Sequence, residues 1–489
     1  MKALIGACLG FCLGVLLGWL TAAPWQLPAA LAAVALAGIL LTALLKKKTA
    51  LFLCIGFATC CAGALWFEGA LAYKNAPYAA LTEGMQTFSG EALSSAEGDL
   101  YSRGVRCRVT SVNGHPVSPV TLWLSGDCVR QIRHGQQVRG VGMLYVTEDR
   151  AGALQGLVDC SAVQVEGKET FSLLDALRVN IRRVLRTSVG EEPLPQVLLL
   201  GGSGGMEPEF LSASSAVGAS HFFAVSGMHL SYLAAVIFQL LRLFRARRST
   251  CLKAVAVVLF ACLCGLTPSI VRAAVMWLIM LLAEGLRREH KASLSLLWAL
   301  TLICLADPLS IVSAGLQLSF AAMAGILWFL PSLQFEQDLF EGPKTRWWNA
   351  PFNLLAMTVA AQLLTQPLSV WLFGSYSWMA PLTCLILTVP VACLFWCTAL
   401  TVIIGFVWPW AASLTGKLCL LISRLFRGGM GVLASLGGNF EMANWVALIF
   451  LAVNLLTFYA VFHIRKKNVR MPVLLLQWGA VSLVLWLFV

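Results

Sequence analysis

Residues 380–406 read APLTCLILTVPVACLFWCTALTVIIGF, and this stretch contains no charged side chain. A helix of about 20 apolar residues is long enough to cross the roughly 30 Å of hydrocarbon in a bilayer. The stretch therefore predicts a transmembrane helix, and comparable apolar runs recur on both sides of it.

The whole chain has the composition that such helices require. Of its 489 residues, 59% are hydrophobic and 12% are charged, whereas soluble domains have about 45–50% and about 25%. We predict a polytopic α-helical membrane protein of about 11–13 spans. The predicted spans lie near residues 3–22, 28–45, 50–71, 221–241, 252–266, 268–286, 292–306, 309–331, 352–373, 380–406, 443–463 and 472–488, and residues 407–439 form either one poor span or two surface helices.

The first apolar segment follows Lys2 and also has the character of a cleaved signal peptide. Two further spans follow almost at once, so we expect a retained helix. Changes in composition then divide the chain into four parts. These are three N-terminal transmembrane helices (1–74), a polar domain (75–168), amphipathic surface helices (169–220) and a polytopic domain (221–489).

The formal net charge of +12 suggests either an acidic partner or an excess of basic residues on cytoplasmic loops. Its distribution favours the second explanation, because basic clusters such as Lys46-Lys47-Lys48 and Arg242 to Arg248 lie beside apolar runs. With the first cluster inside, the third span leads outward. We therefore expect the polar domain on the outer side of the membrane.

The polar domain has the pattern of β-structure. Val105, Cys107 and Val109 alternate with polar residues, and a turn signal stands at Asn113-Gly114. About five short strands in this length predict a small barrel of the OB type. Residues 84–167 contain seven Arg and eight Asp or Glu. The domain therefore lacks the excess of positive charge that is typical of DNA-binding surfaces. Four aromatic residues either stack bases or form the barrel core: Phe88, Tyr101, Trp123 and Tyr145.

Residues 171–189 have a helical pattern, with Arg178, Arg182 and Arg186 repeating every four residues beside an apolar face. Such a helix either lies on the membrane surface or packs on the barrel as a linker.

Most of the sixteen cysteines lie in apolar runs, where Cys behaves as a small hydrophobe. The exceptions are Cys107, Cys128 and Cys160, which fall in the polar domain. In an oxidising compartment two of these three are predicted to form a disulfide.

The segment most informative about function is GASHFFAVSGMHL at residues 218–230. His221 and His229 bracket the pair Ser226-Gly227 at the start of a predicted span, and an ionisable residue within a membrane is a functional candidate. The pair either interrupts the helix along a polar path or belongs to a packing face of small residues.

This segment resembles the signature of the ComEC family of competence proteins. Further elements resemble that family in order along the chain, and together the likeness covers about residues 75–400: LTPSIVRAAVM at 266–276, ADP at 306–308, QLSF at 317–320, and Gln366-Pro367 followed by Phe373-Gly374-Ser375.

The resemblance implies a channel that carries single-stranded DNA across the bacterial cytoplasmic membrane during natural transformation. It also implies an external OB-like domain and partner competence proteins, namely a DNA receptor, a cytoplasmic helicase and a nuclease. Many family members carry a metallo-β-lactamase-like domain, but no H-x-H-x-D-H cluster can be built from the six His of this chain. We therefore expect a short form without that domain, with no catalytic residue, cofactor or metal.

The residues expected to line the DNA path are His221, Ser226, Gly227, His229, Ser269, Arg272, Asp307, Gln317, Ser319 and Gln366. Arg272 either binds phosphate or forms a structural ion pair with Asp307 or Glu284. The Asp307-Pro308 pair is more typical of a helix end than of a DNA contact. The glutamines either line the path or bond across helices.

Two other functions fit the same residues. One is a permease for a small anionic solute. The other is a membrane enzyme that uses His221 or His229 as acid or base, but no carboxylate stands near either in the sequence.

Overall fold

The structure, a computed structural model, describes residues 2–21, 48–93, 104–167, 173–201, 206–223, 227–243, 250–333, 346–437, 439–442 and 446–462. The predicted spans at 28–45 and 472–488 lie outside these ranges. The chain forms two compact units, each described here by itself. The first comprises Met1–Val179 and Leu297–Ser313, and the second comprises Asn180–Leu296 and Ala314–Val489.

The helices are α1 (Lys2–Thr21), α2 (Lys48–Asn75), α3 (Leu173–Val189), α4 (Pro193–Leu200), α5 (Pro208–Ala216), α6 (Gly227–Leu243), α7 (Thr250–Leu263), α8 (Pro268–Gly285), α9 (Ala292–Ala306), α10 (Ala314–Leu333), α11 (Arg346–Phe373), α12 (Ala380–Val407), α13 (Pro409–Ser435) and α14 (Val446–Phe462). Short 3-10 turns stand at Ala76–Ala80, Asp127–Gln131, Ser220–Phe222 and Pro308–Val312.

Five helical segments of the described residues are long and apolar enough to cross a membrane: Cys54–Ala79, Ala314–Leu333, Pro351–Phe373, Ala380–Val407 and Pro409–Ser435. The last of these occupies most of the ambiguous section at residues 407–439, as one continuous helix rather than two. Its buried side chains recur every three or four residues, so only a narrow stripe of α13 faces the protein.

In the first unit, α1 packs closely on α2 through small residues. A Cβ added at Gly14 of α1 would overlap the carbonyl group of Cys60, and one at Gly63 of α2 would overlap that of Phe11. Only glycine permits this approach, which is the usual way that transmembrane helices pack in lipid. The Trp66 indole donates to the carbonyl oxygen of Cys304 on α9 at 3.1 Å, which holds α9 against the pair.

The described residues of the first unit also include five strands: β1 (Gly84–Ala92), β2 (Gly104–Val112), β3 (His115–Ser125), β4 (Gln137–Glu148) and β5 (Leu154–Glu166). They form a closed barrel in the order β1-β2-β3-β5-β4, in which only β3 and β5 run parallel. Asn113 and Gly114 both have positive φ, as a two-residue hairpin turn between β2 and β3 requires.

The alternating residues of the strands fill the barrel. Phe88, Val105, Cys107 and Val109 are buried in its core. By contrast, Trp123 is 41% exposed and Tyr145 is 44% exposed, so these two rings lie on the outer surface. Tyr101 lies outside the described residues.

The second unit is mainly helical, and a large apolar core joins α3 to α8 with α12 and α13. Ile181, Leu185 and Val189 of α3 belong to this core, and Val184 lies against Gly405 of α12. The C-terminal half of the amphipathic helix is therefore packed on other helices. The sequence pattern had predicted either a helix on the membrane surface or a linker packed on the barrel. Two short strands, β6 (Ser375–Ser377) and β7 (Asn439–Glu441), pair antiparallel after α11 and α13.

Candidate functional site

The candidate site centres on Arg272, which lies in the first half of α8 and is only 6% exposed. Its Nε donates a 2.7 Å hydrogen bond to the Oγ of Ser319 on α10. Its guanidinium carbon stands 6.0 Å from the ring centroid of Phe320, the next residue of that helix. The arginine is thus held between two helices, with its charge removed from bulk water.

A second hydroxyl completes this group. Ser269 precedes Arg272 by three residues, so both lie on one face of α8. The Oγ atoms of Ser269 and Ser319 are 3.1 Å apart and share a hydrogen bond. A guanidinium with two adjacent hydroxyls offers several hydrogen-bond donors to one anion.

The glycine of the histidine motif approaches the same arginine. Helix α6 begins at Gly227, where an added Cβ would lie 3.1 Å from Arg272 Nη2 and 3.2 Å from Ala273 Cβ. The helix start can approach α8 this closely because the residue has no side chain. Three of the sequence motifs therefore meet at Arg272. Ser226 lies outside the described residues.

No carboxylate forms an ion pair with Arg272 among the residues that the structure describes. Glu284 instead accepts from Lys253 at 2.9 Å, so the predicted alternative of an Arg272–Glu284 pair is wrong. Asp307 caps the 3-10 turn at Pro308–Val312, where its side chain accepts from the backbone N–H of Leu309. This is the helix end that the Asp-Pro pair predicts.

The two histidines have different surroundings. His221 Nδ1 lies 3.0 Å from the carbonyl oxygen of Gly218, and its Nε2 lies 3.6 Å from Cys384 Sγ. His229 is fully buried, and its ring packs edge-on against Phe395 with centroids 5.4 Å apart. Both rings therefore make specific contacts inside the second unit.

The glutamines lie on two other helices. Gln317 is half-buried on α10. Gln366 on α11 is 8% exposed, and its Nε2 forms no hydrogen bond within the described part of the chain. One turn earlier on the same helix, Oε1 of Gln362 is buried and also forms no hydrogen bond with a described residue. A buried amide normally finds a partner, so this stretch of α11 has unused hydrogen-bonding capacity.

One polar cluster in the second unit has no counterpart among the sequence motifs. Arg427 on α13 donates to Glu192 at 3.0 Å and to Glu207 at 3.3 Å, and its guanidinium lies 5.0 Å from the ring centroid of Phe210. The partners are more than 200 residues apart in sequence, so no local pattern could have indicated them.

The three cysteines of the barrel are free thiols in the structure, so the predicted disulfide is not formed. Cys128 Sγ instead donates to the carbonyl oxygen of Cys160 at 3.1 Å. Burial raises the pKa of Cys107 and of Cys160 to about 12, which leaves little thiolate for oxidation at neutral pH. No group of three metal-ligating side chains occurs in the described ranges.

The fold and the site define a multi-pass helical membrane protein with a buried cationic centre and a small β-barrel. The family model "Competence protein" matches residues 198–467, which is more than half of the chain. The chain therefore belongs to this family, the ComEC family that its motifs resemble.

A curated relative is ComE operon protein 3 of Bacillus subtilis (strain 168), which is 28% identical over 184 residues. The matched region covers 37% of this chain and 22% of the relative, so the chain aligns with about a fifth of that protein's length. No match was found among solved structures.

Proposed function

We propose that this chain is a channel that passes single-stranded DNA across a bacterial cytoplasmic membrane during natural transformation. The observation that carries the proposal is the arrangement at Arg272. A buried guanidinium stands beside two hydroxyls, at the meeting point of three family motifs, and no described carboxylate neutralises it.

A buried charge without a counter-ion is costly, and proteins normally pair it. A phosphate passing the site would supply that counter-ion, since guanidinium and phosphate match in geometry as well as charge. One of the Ser269 and Ser319 hydroxyls donates to the other, and the remaining hydroxyl would add one donor to the same group. Conduction requires that a bound group can also leave its site, and the guanidinium with its neighbouring hydroxyl would hold one phosphate of a moving strand at a time.

The unused amide groups of Gln366 and Gln362 support a polar path in the same unit. Amide donors and acceptors bond bases and phosphates alike, so they would contact a strand without selecting its sequence.

The barrel itself would be an external module that binds nucleic acid. We interpret it as an OB fold, because five strands in the order β1-β2-β3-β5-β4 with a parallel β3–β5 pair are compatible with the five-stranded Greek-key barrel of that fold. The similarity to ComE operon protein 3 of Bacillus subtilis supports a place in a competence system. We further propose that a DNA receptor, a cytoplasmic helicase and a separate nuclease act with the chain, and that the chain itself is no enzyme.

The proposal is tested by comparing the uptake of radiolabelled DNA in cells with and without the gene. We expect the deletion strain to bind DNA at its surface but to accumulate no DNase-resistant label in the cytoplasm. Equal internal label in both strains would contradict the proposal.

The arginine site would equally suit a small anionic solute. Proteoliposomes loaded with buffer distinguish the two functions: a channel for DNA should take up a labelled oligonucleotide, and excess inorganic phosphate should inhibit it only weakly. Phosphate uptake without oligonucleotide uptake would favour the permease.

A further inference from the structure

The outer surface of the barrel carries an apolar row where a barrel in water should be polar. Tyr145 on β4 pairs with Leu157 on β5, and Leu157 pairs with Trp123 on β3. All three point outward, with 44%, 37% and 41% of their surfaces exposed. On the neighbouring rung, Met85 pairs with Met143, and both are exposed as well. Exposed apolar side chains that adjoin in this way mark a contact surface.

The barrel is attached to the ends of two apolar helices of its own unit. The Asn75 side chain, at the end of α2, donates to the Gly152 carbonyl at 2.8 Å and accepts from the Leu154 N–H at 2.8 Å. The Trp19 indole, near the end of α1, donates to the Arg150 carbonyl at 2.9 Å. The turn between β4 and β5 is therefore fixed where these helices end.

A further contact holds β3 in the same place. Tyr78, three residues beyond α2, donates its hydroxyl to the Thr121 carbonyl at 2.9 Å. Trp123 is two residues from this contact, or about 7 Å along the strand. Leu157 is three residues from Leu154, or about 10 Å along its strand. The apolar row thus starts within about 10 Å of the points where Asn75 and Tyr78 contact the barrel.

Side chains at this end of α2 mark the membrane surface. Tyr73 is 85% exposed and Lys74 follows it, and aromatic and basic residues of this kind gather at the boundary between hydrocarbon and water. The polar headgroup layer extends about 5–8 Å beyond the hydrocarbon on each side. A row that starts within about 10 Å of these contacts is within reach of that layer.

We propose that Tyr145, Leu157 and Trp123 form a membrane-contact surface, by which the barrel rests on the lipid headgroups beside α1 and α2. Tyr and Trp suit this position because each combines an apolar ring with one polar group. Arg106 on the neighbouring strand β2 is paired with Trp123, and this cation would lie beside the lipid phosphates in such a contact. The contact would fix the orientation of the barrel on the membrane. It does not depend on what the protein transports.

The test is photocrosslinking of the full-length protein in vesicles of phosphatidylethanolamine and phosphatidylglycerol. The photoreactive residue p-benzoylphenylalanine replaces Leu157 in one variant and Tyr145 in another, the second being a ring-for-ring change that the barrel should accept. Gln164 is the matched control, because it is exposed on the same strand but seven residues further along. Mass spectrometry then identifies the crosslinked species, with and without an added single-stranded oligonucleotide.

We expect lipid adducts at Leu157 and Tyr145 to exceed those at Gln164 several-fold, both with and without the oligonucleotide. Adducts with the oligonucleotide in place of lipid would overturn the proposal and identify the row as a DNA surface. Adducts with protein alone, or lipid adducts equal to those of the control, would overturn it as well.

Discussion

Arg272 donates its Nε–H to the Oγ of Ser319 over 2.7 Å, joining two family motifs that lie 47 residues apart in the sequence. This hydrogen bond fixes one edge of the guanidinium and directs the remaining N–H groups elsewhere. Nη1 makes a weak contact with the Met276 sulfur at 3.5 Å, and Nη2 faces Gly227. The arginine is thus oriented by the protein but is not neutralised by a described carboxylate.

The approach of Gly227 to Arg272 predicts a graded response to side-chain size. Gly227→Ala places a Cβ 3.1 Å from Nη2, so the guanidinium must shift by a few tenths of an ångström and DNA uptake should fall modestly. Gly227→Leu should displace Arg272 and reduce uptake at least about tenfold, since misplacing a binding group by about 1 Å has large effects. Uptake is measured against the amount of protein in the membrane.

Gly431→Ala is the matched control for this series. An added Cβ at Gly431 in α13 meets nothing within 4 Å, so this change should leave uptake unchanged and favour the helix slightly. If uptake in the Gly227 variants fell only in proportion to protein lost, Gly227 would be a packing residue and nothing more.

The Arg427 cluster predicts unequal roles for its two acids. The Glu192 side chain is 17% exposed and that of Glu207 is 60% exposed. Removing the charge of a largely buried partner leaves Arg427 uncompensated, whereas an exposed ion pair contributes only about 0–1 kcal/mol. Glu192→Gln should therefore lower the thermal unfolding midpoint in detergent clearly more than Glu207→Gln. Equal shifts would show that burial does not govern this cluster.

The barrel cysteines should be reduced and unreactive in the folded protein. We expect iodoacetamide at pH 8 to leave Cys107 and Cys160 unmodified until the protein is unfolded, and then to modify both without a reductant. Burial raises the pKa of each thiol to about 12, so the folded state favours the protonated form. The free energy of unfolding should therefore decrease as the pH rises from the usual pKa of cysteine towards 12. Non-reducing mass spectrometry that found a disulfide would contradict this prediction.

Much of the helical architecture follows from the sequence, because length and apolarity decide whether a helix can span a bilayer. The continuous helix α13 was the exception. Helix α13 was difficult to predict because it contains three basic residues, and charges are rare within spans: Lys417, Arg424 and Arg427. At least Arg427 is compensated by acids that only the tertiary fold brings near.

The site was predictable as a set of residues but not as an arrangement. The motifs identified Gly227, Ser269, Arg272 and Ser319, and the structure brings these four together. No local pattern indicated that Glu284 would pair with Lys253 or that His221 would contact Cys384. Each of these depends on packing between helices, which periodicity within one helix does not specify.

The central claim is that the Arg272 guanidinium binds the phosphates of a passing strand. The most direct test measures oligonucleotide uptake by proteoliposomes that contain Arg272→Met, Arg272→Lys or the unmodified chain. Arg288→Gln is the control, since Arg288 is an exposed arginine just beyond the same helix. We expect Arg272→Met to abolish uptake, Arg272→Lys to retain part of it because a charge remains without the planar fork, and Arg288→Gln to match the unmodified chain, all at equal protein content. Undiminished uptake by a stably inserted Arg272→Met protein would contradict the claim.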